Sequence, residues 1–317
     1  MKLHERVRSR LKLRDIRLLL AVAEHGSMAS AAGELNMTQS GVSRAIADLE
    51  HTLGVSLFDR TAQGVEPTPA GRAMLRGGIA MLDDLRQSVA EIEHLSDPAS
   101  GELNLGCTEP MTWGIVPAII DRMVQRYPRA SFQLIQGDPQ KLRFTDVRER
   151  RIELALGALV GGLRVDDLET EMLFEDYRFV VAGRSSPWAS RRKVAASDLL
   201  DAHWVITTLD SPGRVVLDEL FRANGLPAPR VSLSSYSLPL HIALLSTGRF
   251  LTVLPQSMLQ FCAKPMALRI LPIELPARAV PVGITLLKGR TVSPIARLFI
   301  EQARAVTKPL AMLRNRL

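Results

Sequence analysis

Ser40, Ser43, Arg44 and Ala47 recur at helical spacing, with Gln39 just before them and Thr38 at the head of the segment. Small residues let a helix approach a surface closely, and Gln and Arg carry paired donors and acceptors that can read base edges in a major groove. The same segment holds a second stripe, Val42, Ile46, Leu49 and Leu53, which is apolar and suited to burial. One face thus reads as core and the other as a reader of nucleic acid. An ordinary exposed face in a small bundle is the plainer alternative. Arg60 follows two apolar anchors, Leu57 and Phe58. It projects where a phosphate backbone would lie, or into a surface salt bridge. Phosphate contacts set register, while base contacts supply sequence preference.

The elements that must position these side chains can be read on either side of them. A first helix is expected over roughly Asp15 to Glu24, stopping near Gly26, with Ile16, Leu19, Leu20 and Ala23 at i, i+3, i+4 and i+7. Ser27 can cap a second helix carrying Met28, Ala31, Ala32 and Leu35, and Asn36-Met37 makes a tight turn. Thr38 can cap the third helix, running to about Thr52, although Gly41 stands where a full capping box needs Glu or Gln. Two short helices, a turn and a polar-faced helix form the helix-turn-helix arrangement. Thr61 to Thr68 reads as a small two-stranded wing turning at Gln63-Gly64. Thr68-Pro69 then starts a helix reaching about Leu95. Leu75, Gly78, Leu82, Leu85, Val89 and Ile92 step along it as a heptad seam, which asks for a partner helix. A helix packed on its own domain is the alternative. Ser96 to Gly101 is a linker rich in turn formers.

Beyond the linker, strands alternate with helices. Strands are expected at Leu103–Cys107, Phe132–Ile135, Leu154–Leu156, Arg178–Ala182, Trp204–Thr207, Val231–Leu233 and Phe250–Leu254. Helices are expected from Pro110 to Tyr127, Lys141 to Arg151, Val215 to Ala223 and near Leu240 to Ser246. This is an α/β order with a mostly parallel sheet, whose ligands bind beyond the carboxyl ends of the strands. Thr108 and Glu109 stand at one such end, Thr207, Thr208, Ser211, Gly213 and Arg214 at another, and Ser234 and Ser235 at a third. Capping and turn duty is the plainer account of these residue types. Arg214 would suit a carboxylate. Glu109 with Trp113 would suit a hydroxyl-rich ligand such as a sugar, unless Trp113 is a core residue. Both ligand classes stay open.

Composition bounds the rest. The chain has 317 residues, 46% hydrophobic and 23% charged, values of a globular protein of about two domains and not of a disordered one. Forty Lys+Arg against thirty-three Asp+Glu permit a polyanionic partner. Residues 1 to 70, however, hold nine basic and eight acidic side chains. Attraction to DNA must therefore come from placement: the basic first seventeen residues, Arg44 and Arg60. Cys107 and Cys262 lie far apart, which excludes a disulfide scaffold and points to a reducing cytoplasm. The apolar run Leu18–Ala23 is shorter than the ~7 to 15 residues of an export signal, and no stretch approaches the ~20 of a membrane span. No G-x-S-x-G, G-x-G-x-x-G, P-loop, H-E-x-x-H or C-x-x-C is present, and six histidines, among them His203 and His241, pair with no evident nucleophile. An enzyme, or a solute-binding protein that would require export, is the competing reading. No cofactor is expected.

The run Leu35 to Ile46, with Leu49-Glu50, Leu53-Gly54, Leu57-Phe58-Asp59-Arg60 and Thr68-Pro69-Ala70-Gly71, resembles the LysR-type transcriptional regulators, densely over about residues 13 to 96 and more loosely beyond. The resemblance implies an N-terminal all-α winged helix-turn-helix over 1–68 and a dimerising linker helix over 69–96. It implies an α/β effector domain over 97–317, made of two Rossmann-like subdomains like a periplasmic binding protein. Subdomain I would comprise about 103–174 and 276–317, subdomain II about 175–275. Gln39, Ser40, Ser43 and Arg44 would read DNA, with Thr38 and Arg60 nearer the phosphates. The effector would lie between the subdomains, the resemblance carrying over most directly to Thr108 and the Ser211–Arg214 loop. The implied partners are double-stranded DNA at a near-palindromic promoter site, further copies of the chain as a dimer or dimer of dimers, an organic acid or sugar as inducer, and RNA polymerase. The roughly ten residues before the first helix exceed what the family usually carries.

Overall fold

The computed structural model describes residues 10–61, 64–208, 211–262, 266–276 and 279–312, with Arg60, Cys262 and Met312 described by their main chain alone. The basic residues Lys2, Arg6 and Arg8 and the turn residue Gln63 lie outside this set. The chain divides into two units, Met1–Ala90 and Glu91–Leu317.

In the first unit, α1 (Leu13–His25), α2 (Met28–Glu34) and α3 (Gln39–Leu53) enclose one apolar core. Helix α1 buries Ile16, Leu18, Leu19, Ala21 and Val22, a wider face than the expected stripe, because both other helices pack on it. Leu20 and Ala23 are only half-buried. Strands β1 (Phe58–Thr61) and β2 (Gly64–Pro67) pair antiparallel, Phe58 opposite Pro67 and Thr61 opposite Gly64. The wing thus begins three residues before the expected Thr61, since Phe58 serves as both core anchor and first strand residue. Glu50 Oε1 accepts from the Leu57 and Phe58 amides at 2.6 and 3.2 Å, fixing the chain between α3 and the wing.

Helix α4 (Pro69–Ser96) spans 28 residues. Thr68 opens it as expected, accepting from the Gly71 amide at 3.0 Å while donating to the Ser56 carbonyl at 2.7 Å. Gly71 is obligatory by space: a Cβ there would lie 2.0 Å from the Leu57 carbonyl oxygen. The expected heptad seam divides into two uses. Gly78 is buried against Ile16 and Leu75 packs on the helical core, so these two serve their own unit. Leu85, Val89 and Ile92 are 47%, 46% and 64% exposed and have no such cover.

The second unit contains two five-stranded sheets. The first, in order β4-β3-β5-β12-β6, joins Ser100–Cys107 (β3), Arg129–Gln136 (β4), Leu154–Ala158 (β5), Leu168–Asp176 (β6) and Val280–Leu287 (β12). The second, in order β11-β7-β10-β8-β9, joins Arg178–Gly183 (β7), His203–Ile206 (β8), Val231–Ser234 (β9), Phe250–Pro255 (β10) and Leu268–Ile270 (β11). Each is mostly parallel, as expected, with four strands running one way and one opposed. In the first, β12 runs antiparallel to both β5 and β6; in the second, β7 runs antiparallel to both β10 and β11. Strands β6, β11 and β12 are additional to those expected from the sequence. The acids of Leu168–Asp176 hide an edge strand, and Pro281 and Gly283 break the pattern of β12. Gly283 lets β12 close on β6, because a Cβ there would sit 2.0 Å from the Glu171 carbonyl oxygen.

Two helices behind the first sheet, Ile115–Arg126 and Pro294–Met312, complete a core of Leu103, Leu105, Ile119, Phe174, Ile284 and Phe299. The second sheet builds its own core around Trp204, Leu217 and Phe221. The expected helix Lys141–Arg151 is instead a short turn, Pro139–Lys141, followed by a π-helical stretch, Leu142–Asp146. Arg143 causes the departure: it is 2% exposed and donates to Thr285 Oγ1, to the Gly162 carbonyl at 3.0 Å and to the Val160 carbonyl. The chain passes between the sheets at Tyr177. There Asp176, 1% exposed, accepts from the Ser257 amide and hydroxyl at 3.0 and 2.6 Å, with Arg178 beside it. Among the described residues no helix is long and apolar enough to cross a membrane.

Candidate functional site

Helix α3 is built to expose its start. Asn36 takes a left-handed backbone (φ 52°), which short polar side chains tolerate, and so ends α2 sharply. Thr38 then adopts extended backbone, and its Oγ1 accepts from the Gly41 amide at 3.1 Å. The same oxygen lies 3.2 Å from Ser40 Oγ, so the Thr38 hydroxyl is held within its own helix. Val42, Ile46 and Leu49 point into the core, with Leu53 half-buried. Gln39, Ser40, Arg44 and Ala47 are exposed on the other side, and Ser43 is half-buried between the two.

The side chains of Gln39 and Arg44 make no hydrogen bond or ion pair with any other described residue. Among the described residues, nothing occupies their side-chain donors and acceptors. The positive end of the α3 dipole lies beside them, a setting that favours a phosphate oxygen. Arg60 belongs to strand β1; its side chain lies outside the described atoms.

The second group of sequence-assigned residues falls at strand ends in the two sheets of the second unit. Thr108 follows β3 but is only 8% exposed, and its methyl packs so closely on Gly157 that a Cβ there would stand 2.7 Å away. It lines a small pocket with Leu142, Arg143 and Thr285. Thr207, Ser211, Gly213 and Arg214 gather where β8 leads into the helix Pro212–Ala223. The Thr207 carbonyl accepts from Ser234 Oγ at 3.2 Å. Ser211 caps the helix, its Oγ accepting from the Arg214 amide at 3.3 Å and donating to the Thr208 carbonyl at 2.8 Å. Gly213 has ordinary space around it. Arg214 gives its Nε to Asp218 Oδ2 at 2.7 Å, so the guanidinium singled out for a carboxylate ligand already holds one from its own helix. Ser211 and Arg214 thus carry the capping and pairing duties of the plainer reading.

Glu109 behaves differently. Its Oε1 accepts from the Leu238 amide at 2.8 Å, in the first turn of the helix Leu238–Ser246 of the second sheet. It therefore bridges the two sheets. Burial pushes its carboxyl above the usual carboxylate range, and hydrogen bonds from Leu238 and from the Gln136 side chain offset part of that rise. Gln136 ends β4 directly opposite Cys107, which brings it level with the end of β3. The sequence reading missed Gln136 and Leu238. The strand-end rule that selected Glu109 applies equally to the neighbouring parallel strand and would have found Gln136. Trp113 packs against the second sheet's cluster of Leu238, Leu254 and Met258, as a core residue would. His241, 2% exposed, bonds the Ser235 carbonyl through Nε2 at 2.8 Å; burial holds its imidazole below the ordinary value. Among the described residues, no group of three or more His, Cys, Asp or Glu is placed to hold a metal ion.

Comparison with known proteins joins these two regions. Residues 13–72 match the family described as bacterial regulatory helix-turn-helix protein, lysR family, and residues 96–308 match the LysR substrate binding domain. The HTH-type transcriptional regulator GbpR of Azospirillum brasilense is 29% identical over 302 residues, covering 95% of this chain and 88% of the relative. The HTH-type transcriptional regulator TfdS of Cupriavidus pinatubonensis is 30% identical over 301 residues, covering 93% and 98%. Among solved structures, full-length CbnR in complex with its target DNA superposes with a TM-score of 0.64 at 20% identity, covering 93% of this chain and all of that one. That likeness concerns the fold.

Proposed function

The chain belongs to the LysR family of bacterial transcriptional regulators, and we propose on that premise that it binds a specific DNA sequence through helix α3, under the control of a small molecule held between its two C-terminal sheets. One observation carries the DNA reading: Gln39 and Arg44 stand exposed and unpaired at the start of a helix whose opposite face, Val42, Ile46 and Leu49, is locked in the core. Ser40 and Ser43 keep the same face low, so the helix can enter a major groove. Thr38 and Arg60 stand nearer the phosphates.

Two copies joined along the exposed part of α4 present two such helices. Successive major grooves on one face of a duplex lie ~34 Å apart, so a near-palindromic promoter site fits a symmetric dimer or a dimer of dimers. The effector, an organic acid or a sugar, favours one closure of the two sheets. It shifts the equilibrium only by its difference in affinity between the closures. The result is read out as a change in how RNA polymerase meets the promoter. The family's solved relative in complex with target DNA supports the DNA partner.

A gel-shift titration on a DNA site selected by the wild-type protein from a random library tests the reading. Gln39→Ala and Arg44→Ala are each expected to cost about 1 to 3 kcal/mol on the specific site and much less on random DNA. Unchanged specific affinity in both variants removes α3 as the reading helix.

A further inference from the structure

Arg143 carries a charge into the interior and meets no opposite charge there. It is buried and donates only to neutral oxygens: Thr285 Oγ1 at 3.1 Å, the Gly162 carbonyl at 3.0 Å and the Val160 carbonyl. A guanidinium has more N–H groups than these three bonds use. The acids of the same stretch are engaged elsewhere. Asp138 accepts from the Gln140 and Lys141 amides at 2.9 and 3.1 Å, and Asp146 lies 3.6 Å from Arg151. Burial pulls the Arg143 guanidinium below the usual arginine value, with no carboxylate to restore it. A buried charge is costly unless it is paired.

A small pocket adjoins this cation. Thr108, Arg143 and Thr285 line it, with Gly157 and Gly283, which face each other across β5 and β12. Thr108 is nine-tenths buried, and its hydroxyl neither caps the helix that follows nor bonds any other described residue. The Thr285 hydroxyl accepts from Arg143 and so keeps its own proton to give. The polar side chains of the lining can therefore all donate, and no Asp or Glu is among them. The free space is about that of one water-sized body, too small for an organic metabolite.

We propose that this pocket binds a monatomic anion of the chloride class, which supplies the counter-charge of Arg143 and takes hydrogen bonds from Thr108 and Thr285. The ion ties the π-helical turn to the ends of β3 and β12. Its site is built by the first sheet and the turn beside it, so it stands apart from the effector reading and from any closure of the two sheets.

Chlorine NMR linewidths measured with the full chain in sodium chloride test the proposal. Wild type is expected to broaden the chloride line saturably, and bromide at equal ionic strength to remove the excess. Arg143→Gln keeps donors and loses the charge; it is expected to weaken chloride binding by at least about tenfold, because hydrogen bonds to charged groups are the stronger ones. Thr108→Val keeps the shape and loses the hydroxyl, and is expected to weaken it by roughly threefold or more. Should Arg143→Gln fail to fold, Thr108→Val and Thr285→Val decide. Sodium chloride is likewise expected to raise the melting temperature of wild type above that in sodium gluconate at equal ionic strength, by an amount that Thr108→Val reduces. Broadening that never saturates means water in the pocket and diffuse ions at the surface, and overturns the proposal. So does saturable broadening of equal affinity in wild type and Thr108→Val, which puts the ion elsewhere.

Discussion

Charge and hydrogen-bonding capacity separate the roles of individual side chains. Gln39 carries no charge, so Gln39→Ala is expected to lower affinity without changing its dependence on salt. If Arg44 contacts a phosphate, Arg44→Ala should reduce the slope of log K against log salt by about 1; if it reads a base edge, the loss concentrates on the specific sequence. Titrations at several KCl concentrations decide between these. Thr38→Ala removes the cap of α3 and is expected to cost about 1 kcal/mol of stability by denaturant unfolding. Glu109 gives a pH signature of definite sign. Its carboxyl is raised in the folded state by burial, so its contribution is fully present below its ordinary value and is lost as pH rises through the raised one. The melting temperature of Glu109→Gln minus that of wild type is therefore expected to grow as pH climbs from the ordinary 4.5 upward. A difference that shrinks over that range contradicts the burial account.

Elements impose their own requirements. Helix α4 starts where it does because Gly71 lets its first turn touch the Leu57 carbonyl. Gly71→Val should lower the melting temperature sharply, since backbone atoms cannot yield as a side chain can. Farther along, Leu85, Val89 and Ile92 are the part of the seam left for a partner. Val89→Asp combined with Ile92→Asp is expected to shift sedimentation toward the monomer while leaving circular dichroism unchanged; an unaltered oligomer removes α4 from the interface. The start of α3 was legible in the sequence because capping, turn chemistry and the two stripes all act within a few residues. The π-helical turn at Leu142–Asp146 was not. Its cause is a set of bonds from Arg143 to Thr285, Val160 and Gly162, and sequence distance hides them all. Arg214 differs: its partner Asp218 is four residues on along the same helix, a pairing that the sequence spacing itself allows.

At the scale of the molecule, two structural classes follow one another along the chain, and the alternation of short β-rich runs with helices was enough to show the second as α/β. Which strand of each sheet runs against the rest was not legible, because antiparallel β7 and β12 differ from parallel strands in their partners and not in their residues. Asp176 with Ser257 pins the crossing between the sheets. Asp176→Ala, which leaves Arg178 buried without its carboxylate, is expected to cost about 3 to 5 kcal/mol in chemical denaturation. Strand β12 also fixes a timetable for the newborn chain. It fits between β5 and β6, so a sheet whose other four strands leave the ribosome early stays split until residues 280–287 emerge. The sheet that begins after residue 177 needs nothing from that late segment and can mature ahead of its predecessor, reversing the usual front-to-back order of synthesis. A premature stop near residue 279 would therefore do more than shorten this protein: it would leave β6 with no neighbour and hand the remnant to the cell's proteases.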